Sequence, residues 1–299
     1  MRFLSGVRGE RRLVGAALAL MMALALAGAP GQAAKAQSLG DPILALTGGN
    51  RLIEFNSSSP GVITRSVTVT GLATDESLVG IDYRPANGRL YGVGSSNRLY
   101  LIDPATGAAS AVGGPFAVPL EGVQFGVDFN PVPDRLRVVS NTGQSLRINP
   151  DNGAVVDGDP NTPGVQADGR LVYVDGSGRP VPGATGSLVG AAYTNNVARA
   201  TTTTNYGIDA RAGVLVTQGS VNGSPVSPNT GRLFTVGRLG IAATNAVGFD
   251  ISRGGRAYAS FTGFDGRTNL YLVDLSSAAT HLIGMIGNGE TISGFAIKP

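Results

Sequence analysis

One short pattern recurs along the chain and limits what it can fold into. It reads glycine, apolar, Asp or Ala, then a large side chain: GIDYRP from Gly80, GVDFNP from Gly126, GAAYTN from Gly190, GFDISR from Gly248 and GFAIKP from Gly294. A second pattern follows the first four copies: LYLIDPATG (Leu99–Gly107), LRINPDNG (Leu146–Gly153), NYGIDARAG (Asn205–Gly213) and LYLVDLSSA (Leu270–Ala278). A fifth second pattern, LIEFNSSSPG at Leu52–Gly61, has no first pattern before it, and the last first pattern has no second pattern after it. The mismatch is resolved if the C-terminal segment SGFAIKP pairs beside PILALTGGNRLIEF, so that the two ends make one complete unit. Such a join closes a ring and removes the unpaired sheet edges that an open array would present.

The spacing from Gly80 to Gly126 is 46 residues, the length of a four-stranded propeller blade. GIDYRP, RLYGVGS, NRLYLIDP and AASAVGG read as its strands, separated by turn chemistry such as ANG and PATG. Five copies predict an all-β, five-bladed β-propeller whose C-terminal strand closes the first blade. The 45 glycines, with abundant Thr, Val and Asn, fit many short strands and tight turns. An open or sandwiched all-β fold is the competing architecture.

GVDFNPVPDRLRVVSNTGQSLRINPDNGAV, AAYTNN and GRLFTVGRLG resemble the secreted bacterial family catalogued as domain of unknown function 4394. The resemblance runs from about Asp41 to the C-terminus. It implies a secreted, repetitive β protein and carries over no catalytic residue.

The first 36 residues read as a signal peptide. Arg2, Arg8, Arg11 and Arg12 precede the apolar run LVGAALALMMALALAGA, and Ala34-Lys35-Ala36 fits a signal-peptidase site. Export to the periplasm or beyond is expected, with residues 37–40 as a short linker, residues 41–299 as one domain, and no stable membrane insertion after cleavage. Removing this segment changes the charge. Taking its five basic residues and one acidic residue from totals of 23 and 20 leaves 18 and 19. No basic stripe remains to attract phosphates, so no nucleic-acid partner is expected. The absence of cysteine excludes a lipid-anchoring thiol and disulfides.

Two groups of side chains suggest chemistry. Asp82, Asp128 and Asp250 occupy one slot of the first pattern, filled by Ala192 and Ala296 in the other copies. Inner strands line a propeller's axis, so three acids near it suggest a glycan-acting hydrolase. The plainer alternative has them accept backbone N–H groups and hold the blades in register. The other group lies in DGDPNTPGVQAD, where Asp157, Asp159, Asn161 and Asp168 take positions 1, 3, 5 and 12 of a calcium loop. Calcium is the one cofactor the sequence suggests. Against it, Thr162 replaces the usual turn glycine, and Pro160 and Pro163 stiffen the loop. The single histidine, His281, lies in an alternating strand and suits no triad. Tyr83, Phe129 and Tyr193, next to the Asp/Ala slot, fit the core between blades.

The expectation is therefore a non-enzymatic binding or scaffold propeller for a protein or glycan ligand. A hydrolase using the three axial acids and a calcium-dependent interaction module are the alternatives. Insertions around 155–187 and 217–238 are the expected contact surfaces.

Overall fold

The computed structural model describes residues 40–242, 244 and 247–298. The expected signal peptide and nearly all of the linker lie outside the described residues. Among the described residues, no helix is long and apolar enough to cross a membrane.

The fold is a five-bladed β-propeller. Blade 1 takes its innermost strand, Ile292–Ile297, from the C-terminus and continues outward through Pro42–Thr47, Arg51–Asn56 and Ser59–Thr68. Ile43 pairs with Ile297 and Leu46 with Gly294, so the expected closure of the first blade by the last strand is observed. Blade 2 contains Leu78–Tyr83, Leu90–Gly94, Arg98–Ile102 and Ala109–Val112, the four segments read from the repeat. Blade 5 repeats that plan with Val247–Ile251, Ala257–Thr262, Thr268–Val273 and Thr280–Met285.

Blades 3 and 4 depart from the repeat. Blade 3 has three strands, Phe125–Asn130, Arg135–Ser140 and Ser145–Ile148. In place of a fourth, a single bridge joins Ile148 to Val155 before the chain enters its Asp/Gly/Pro-rich segment. That insertion forms a hairpin of Val172–Val174 and Pro180–Thr185, whose first strand runs parallel to the outer strand of blade 4. Blade 4 proper is Leu188–Tyr193, Asn205–Asp209, Val214–Gln218 and Arg232–Arg238. Its copy of the second pattern, NYGID, is the second strand of the blade, whereas in the other blades that pattern supplies the third. The shared feature is the turn: the Gly107, Gly153, Gly213 and Ala278 N–H groups donate to the carbonyls of Asp103, Asn149, Asp209 and Asp274. Turn chemistry repeats without fixing a strand's rank in its blade.

The recurring glycine has a steric cause. A Cβ on Gly80 would lie 2.4 Å from Val127 Cγ2, and one on Gly126 would lie 2.6 Å from the Ala191 nitrogen. The copies at Gly80, Gly126, Gly190 and Gly248 thus let the inner strand press against that of the next blade, whereas at Gly294 the atom nearest to such a Cβ, Gly80 Cα, is 3.7 Å away. Between blades the apolar faces form continuous clusters. Tyr91, Val93 and Leu99 of blade 2 pack with Val127, Phe129 and Leu136 of blade 3. Phe249 and Ala259 of blade 5 pack with Ile208 and Leu215 of blade 4. Tyr83, Phe129 and Tyr193 are buried in this core, as their spacing predicted.

Candidate functional site: an axial carboxylate ring

Asp82, Asp128 and Asp250 come together on the axis. One oxygen from each lies within 4.8 Å of the others, and each residue is only 1 % exposed. Their hydrogen bonds follow one rule. Asp82 accepts from Phe129 N–H of the next blade at 2.7 Å, Asp128 from Tyr193 N–H at 3.1 Å, and Asp250 from Ile297 N–H at 2.6 Å.

The remaining two slots hold Ala296 and Ala192, which have no acceptor to offer the following blade. Asp82 and Asp250 fill the gap with their second oxygens, accepting from the adjacent N–H of Tyr83 at 2.7 Å and of Ile251 at 2.5 Å. Five inner-strand amides, one per blade, are therefore satisfied by three carboxylates. Of the six carboxylate oxygens one is left over, Asp128 Oδ2, which is buried without a hydrogen-bond partner.

The electrostatics follow from this crowding. Burial, and then the charge of Asp250, push Asp82 well above the usual carboxylate range. Burial followed by the charges of Asp82 and Asp250 does the same to Asp128. Asp250 is raised by burial to about 7, opposed by the Ile297 and Ile251 amides. One oxygen of Asp128 and one of Asp250 lie within 4.8 Å of each other, so a proton held by either acid removes a like-charge repulsion that both would otherwise bear.

The cluster can also offer three carboxylate oxygens to a cation. Calcium requires six to eight oxygen ligands. The neighbouring axial cavity, lined by Gly80, Gly126, Gly190 and Gly294, measures about 10 Å³ and has room for roughly one water. The donor set fits a shared proton or a low-coordinate ion better than calcium.

The calcium-loop candidates engage the protein's own donors. Asp157 Oδ1 accepts from Asp159 N–H at 3.1 Å and Gln166 N–H at 3.0 Å, and Asp159 caps the turn at Asn161 and Thr162. Asp168 faces elsewhere. Its side chain is fully buried between two guanidinium groups, from Arg137 and from Arg147, the latter at 2.7 Å. Arg137 in turn donates to Tyr193 Oη at 3.2 Å, Ser145 Oγ at 2.9 Å and Asn229 Oδ1 at 2.6 Å. This buried ion network pins the insertion and a loop of blade 4 to blade 3. Its sequence signal was a cation at a core-facing position of the alternating strand DRLRVV. His281 is exposed on the outer strand of blade 5.

Sequence reasoning missed a second cavity of about 140 Å³ between blades 3 and 4, lined by Asn130, Pro133, Tyr193, Asn205 and Gln218 among others. The Thr201–Thr204 run leads into the strand that begins at Asn205, and Thr203 and Thr204 are buried.

Comparison with known proteins places these features in a wider setting. No curated protein matches the sequence. Among solved structures, a chain of a nidogen/laminin complex superposes with a TM-score of 0.48 at 10 % identity, covering 87 % of this chain and 99 % of that one. A glutaminyl cyclase from Myxococcus xanthus gives 0.41 at 14 % identity, with 75 % and 83 % covered. BamB from Moraxella catarrhalis gives 0.34 at 15 % identity, with 82 % and 58 % covered. The family described as Domain of unknown function (DUF4394) matches residues 51–296, and the chain belongs to that family.

Proposed function

We propose that the chain is an exported, non-enzymatic binding propeller, in which the axial acids act as a clasp and the loops between blades carry the ligand. The observation that supports this reading most directly is the use of three buried carboxylates to satisfy five inner-strand amides. Groups so occupied, and only 1 % exposed, are poorly placed to protonate a glycosidic oxygen. Export rests on the residues before Gln37, and protein recovered outside the cytoplasm should begin at Gln37. A panel of chromogenic glycosides tests the non-enzymatic part. The expected result is no turnover above buffer, and turnover that Asp82→Asn abolishes would overturn it.

A second reading, that the clasp holds a cation, is favoured by the partnerless Asp128 Oδ2. Metal analysis of protein purified without chelator, with melting curves in EDTA and in added calcium, separates the two readings. One equivalent of metal and a fall in Tm with EDTA would support the ion. The same calcium titration on Asp157→Ala assigns any response to the Asp157, Asp159, Asn161 and Asp168 segment or to the axis.

A further inference from the structure

We infer that the protein pairs with a second copy of itself through the outer edge of blade 5, strand against strand about a twofold axis. The outermost strand of a blade leaves a row of N–H and C=O groups unpaired, and soluble proteins protect such edges. Among the described residues four of the five blades do so. Blade 1 ends on Ser59–Thr68, which carries Pro60, Arg65 and two register shifts. Blade 2 ends on Ala109–Val112, a strand of only 4 residues. In blade 3 the insertion covers Ser145–Ile148, with Val156 N–H donating to the Arg147 carbonyl at 2.7 Å and Asp168 N–H to the Ser145 carbonyl at 3.1 Å. Blade 4 is extended by Val172–Val174 and Pro180–Thr185, and the new edge holds Pro180 and Pro182. The fold thus already accepts an added strand on the rim of one blade. Blade 5 ends on Thr280–Met285, where Leu282, Ile283 and Met285 are 63 %, 36 % and 39 % exposed. No Asp, Glu, Lys, Arg or Pro occurs from Leu275 to Gly289. The one irregularity, a register shift opposite Leu270 and Tyr271, leaves Ile283 extra and adds it to the exposed apolar row.

Which groups face outward follows from the ladder. Asp274 N–H donates to the Ala279 carbonyl at 2.8 Å, and antiparallel pairs alternate between bonded and unbonded. Val273–Thr280 and Tyr271–Leu282 are therefore unbonded pairs, and Thr280 and Leu282 turn their N–H and C=O groups away from the sheet. A twofold axis at His281 sets Thr280 of each copy opposite Leu282 of the other, and each such pair exchanges both backbone hydrogen bonds. Blade 1 approaches the far end of the strand, where Gly287 N–H donates to the Pro60 carbonyl at 3.0 Å, so the pairing is confined to the Thr280 end. The uncharged run lets identical strands lie side by side with no like charges opposed. A copy also arrives with its strand already ordered by blade 5, whereas a free peptide gives up its backbone freedom on pairing. The edge therefore favours a second propeller over an extended segment of another protein.

Sedimentation velocity at protein concentrations from about 1 to about 200 μM tests the pairing, since a short edge makes a weak interface. A concentration-dependent dimer is expected. Leu282→Lys places a charge on the edge and should weaken dimerisation by about tenfold or more, with Tm unchanged because the side chain is exposed. The register is read with cysteine. The chain has none, so a single introduced thiol can meet only its counterpart in another copy. At the axis His281 faces itself in an unbonded pair, whose Cα atoms lie about 4.5 Å apart, within disulfide reach. His281→Cys should therefore cross-link to a dimer on mild oxidation, whereas Val181→Cys, 38 % exposed on the rim of blade 4, should not. Three outcomes overturn the inference: a monomer throughout the concentration range, a dimer that Leu282→Lys leaves within about twofold of wild type, or equal cross-linking at the two cysteines.

Discussion

The Asp250 carboxylate accepts a hydrogen bond at 2.6 Å from the backbone N–H of Ile297, joining the last full blade to a strand that completes the first. Equivalent bonds run from Asp82 to Phe129 and from Asp128 to Tyr193, so the acids link successive blades.

The three acids should respond differently to the same substitution. Both oxygens of Asp82 and of Asp250 accept from amides, so Asn at either site sets an NH2 against an N–H. Asp82→Asn and Asp250→Asn should each cost about 1–3 kcal/mol. Asp128 uses one oxygen, so Asp128→Asn can keep the bond to Tyr193 and turn its NH2 toward Asp250. Its denaturation midpoint should equal or exceed that of wild type, and three equal losses would refute the count of donors.

Stability should fall as pH rises from about 4 to about 8. The folded value of Asp250, about 7, lies above its ordinary 3.8, so the fold prefers the neutral acid. Its contribution is complete below the ordinary value and drains away as pH passes through the folded one. Asp82 and Asp128 shift in the same direction. Exposed acids such as Asp159 and Asp274 are lowered by turn hydrogen bonds, and their contributions are lost on acidification instead. The difference in Tm between wild type and Asp128→Asn across pH isolates the axial part. A difference independent of pH would remove the shared proton.

Closure can be tested at Phe295, which is 3 % exposed on the C-terminal strand and packs with Ile43, Ile53 and Tyr258. Phe295→Ala should cost about 3–5 kcal/mol. Deleting residues 292–299 should abolish cooperative unfolding in calorimetry, since Asp250 loses an amide donor and blade 1 loses its inner strand.

The buried network around Asp168 makes a further demand. Asp168→Asn leaves Arg137, 1 % exposed, without its counter-charge, and should cost about 3–5 kcal/mol by chemical denaturation. The paired change of Arg137→Met with Asp168→Leu should cost less than Asp168→Asn, because no charge is then stranded. Additive losses would show that the two side chains act independently.

Much of the ring was legible in the chain because its information is local and repeated. The glycines mark where inner strands touch, and the odd placement of GFAIKP and LIEFNSSSPG revealed the join between Ile292–Ile297 and Pro42–Thr47. The alternation of Asp and Ala in one slot foretold that the acids meet. It did not reveal that Asp82 and Asp250 also accept from the adjacent amide, because that depends on what Ala296 and Ala192 lack. The missing fourth strand of blade 3, the pairing of Asp168 with Arg137 and Arg147, and the Asn205 cavity were illegible for a related reason. The last two depend on contacts between segments far apart in the chain, with partners 31 residues apart for Arg137 and Asp168 and 73 for Gln218 and Ser145. No periodicity records such distances.

The two alanines in the acidic slot leave the circle with uneven seams. Among the described residues, no carboxylate of this slot crosses from blade 4 to blade 5 or from blade 1 to blade 2, so the axial clasps join an arc of three blades and an arc of two. Across those two seams the contacts are apolar packing and neutral hydrogen bonds, such as Leu78 N–H to Asn50 Oδ1 at 2.7 Å between blades 1 and 2. Under native-state hydrogen exchange, the amides of Ile251 and Tyr83, each held only by its own neighbour's side chain, are the ones that should open ahead of Phe129, Tyr193 and Ile297.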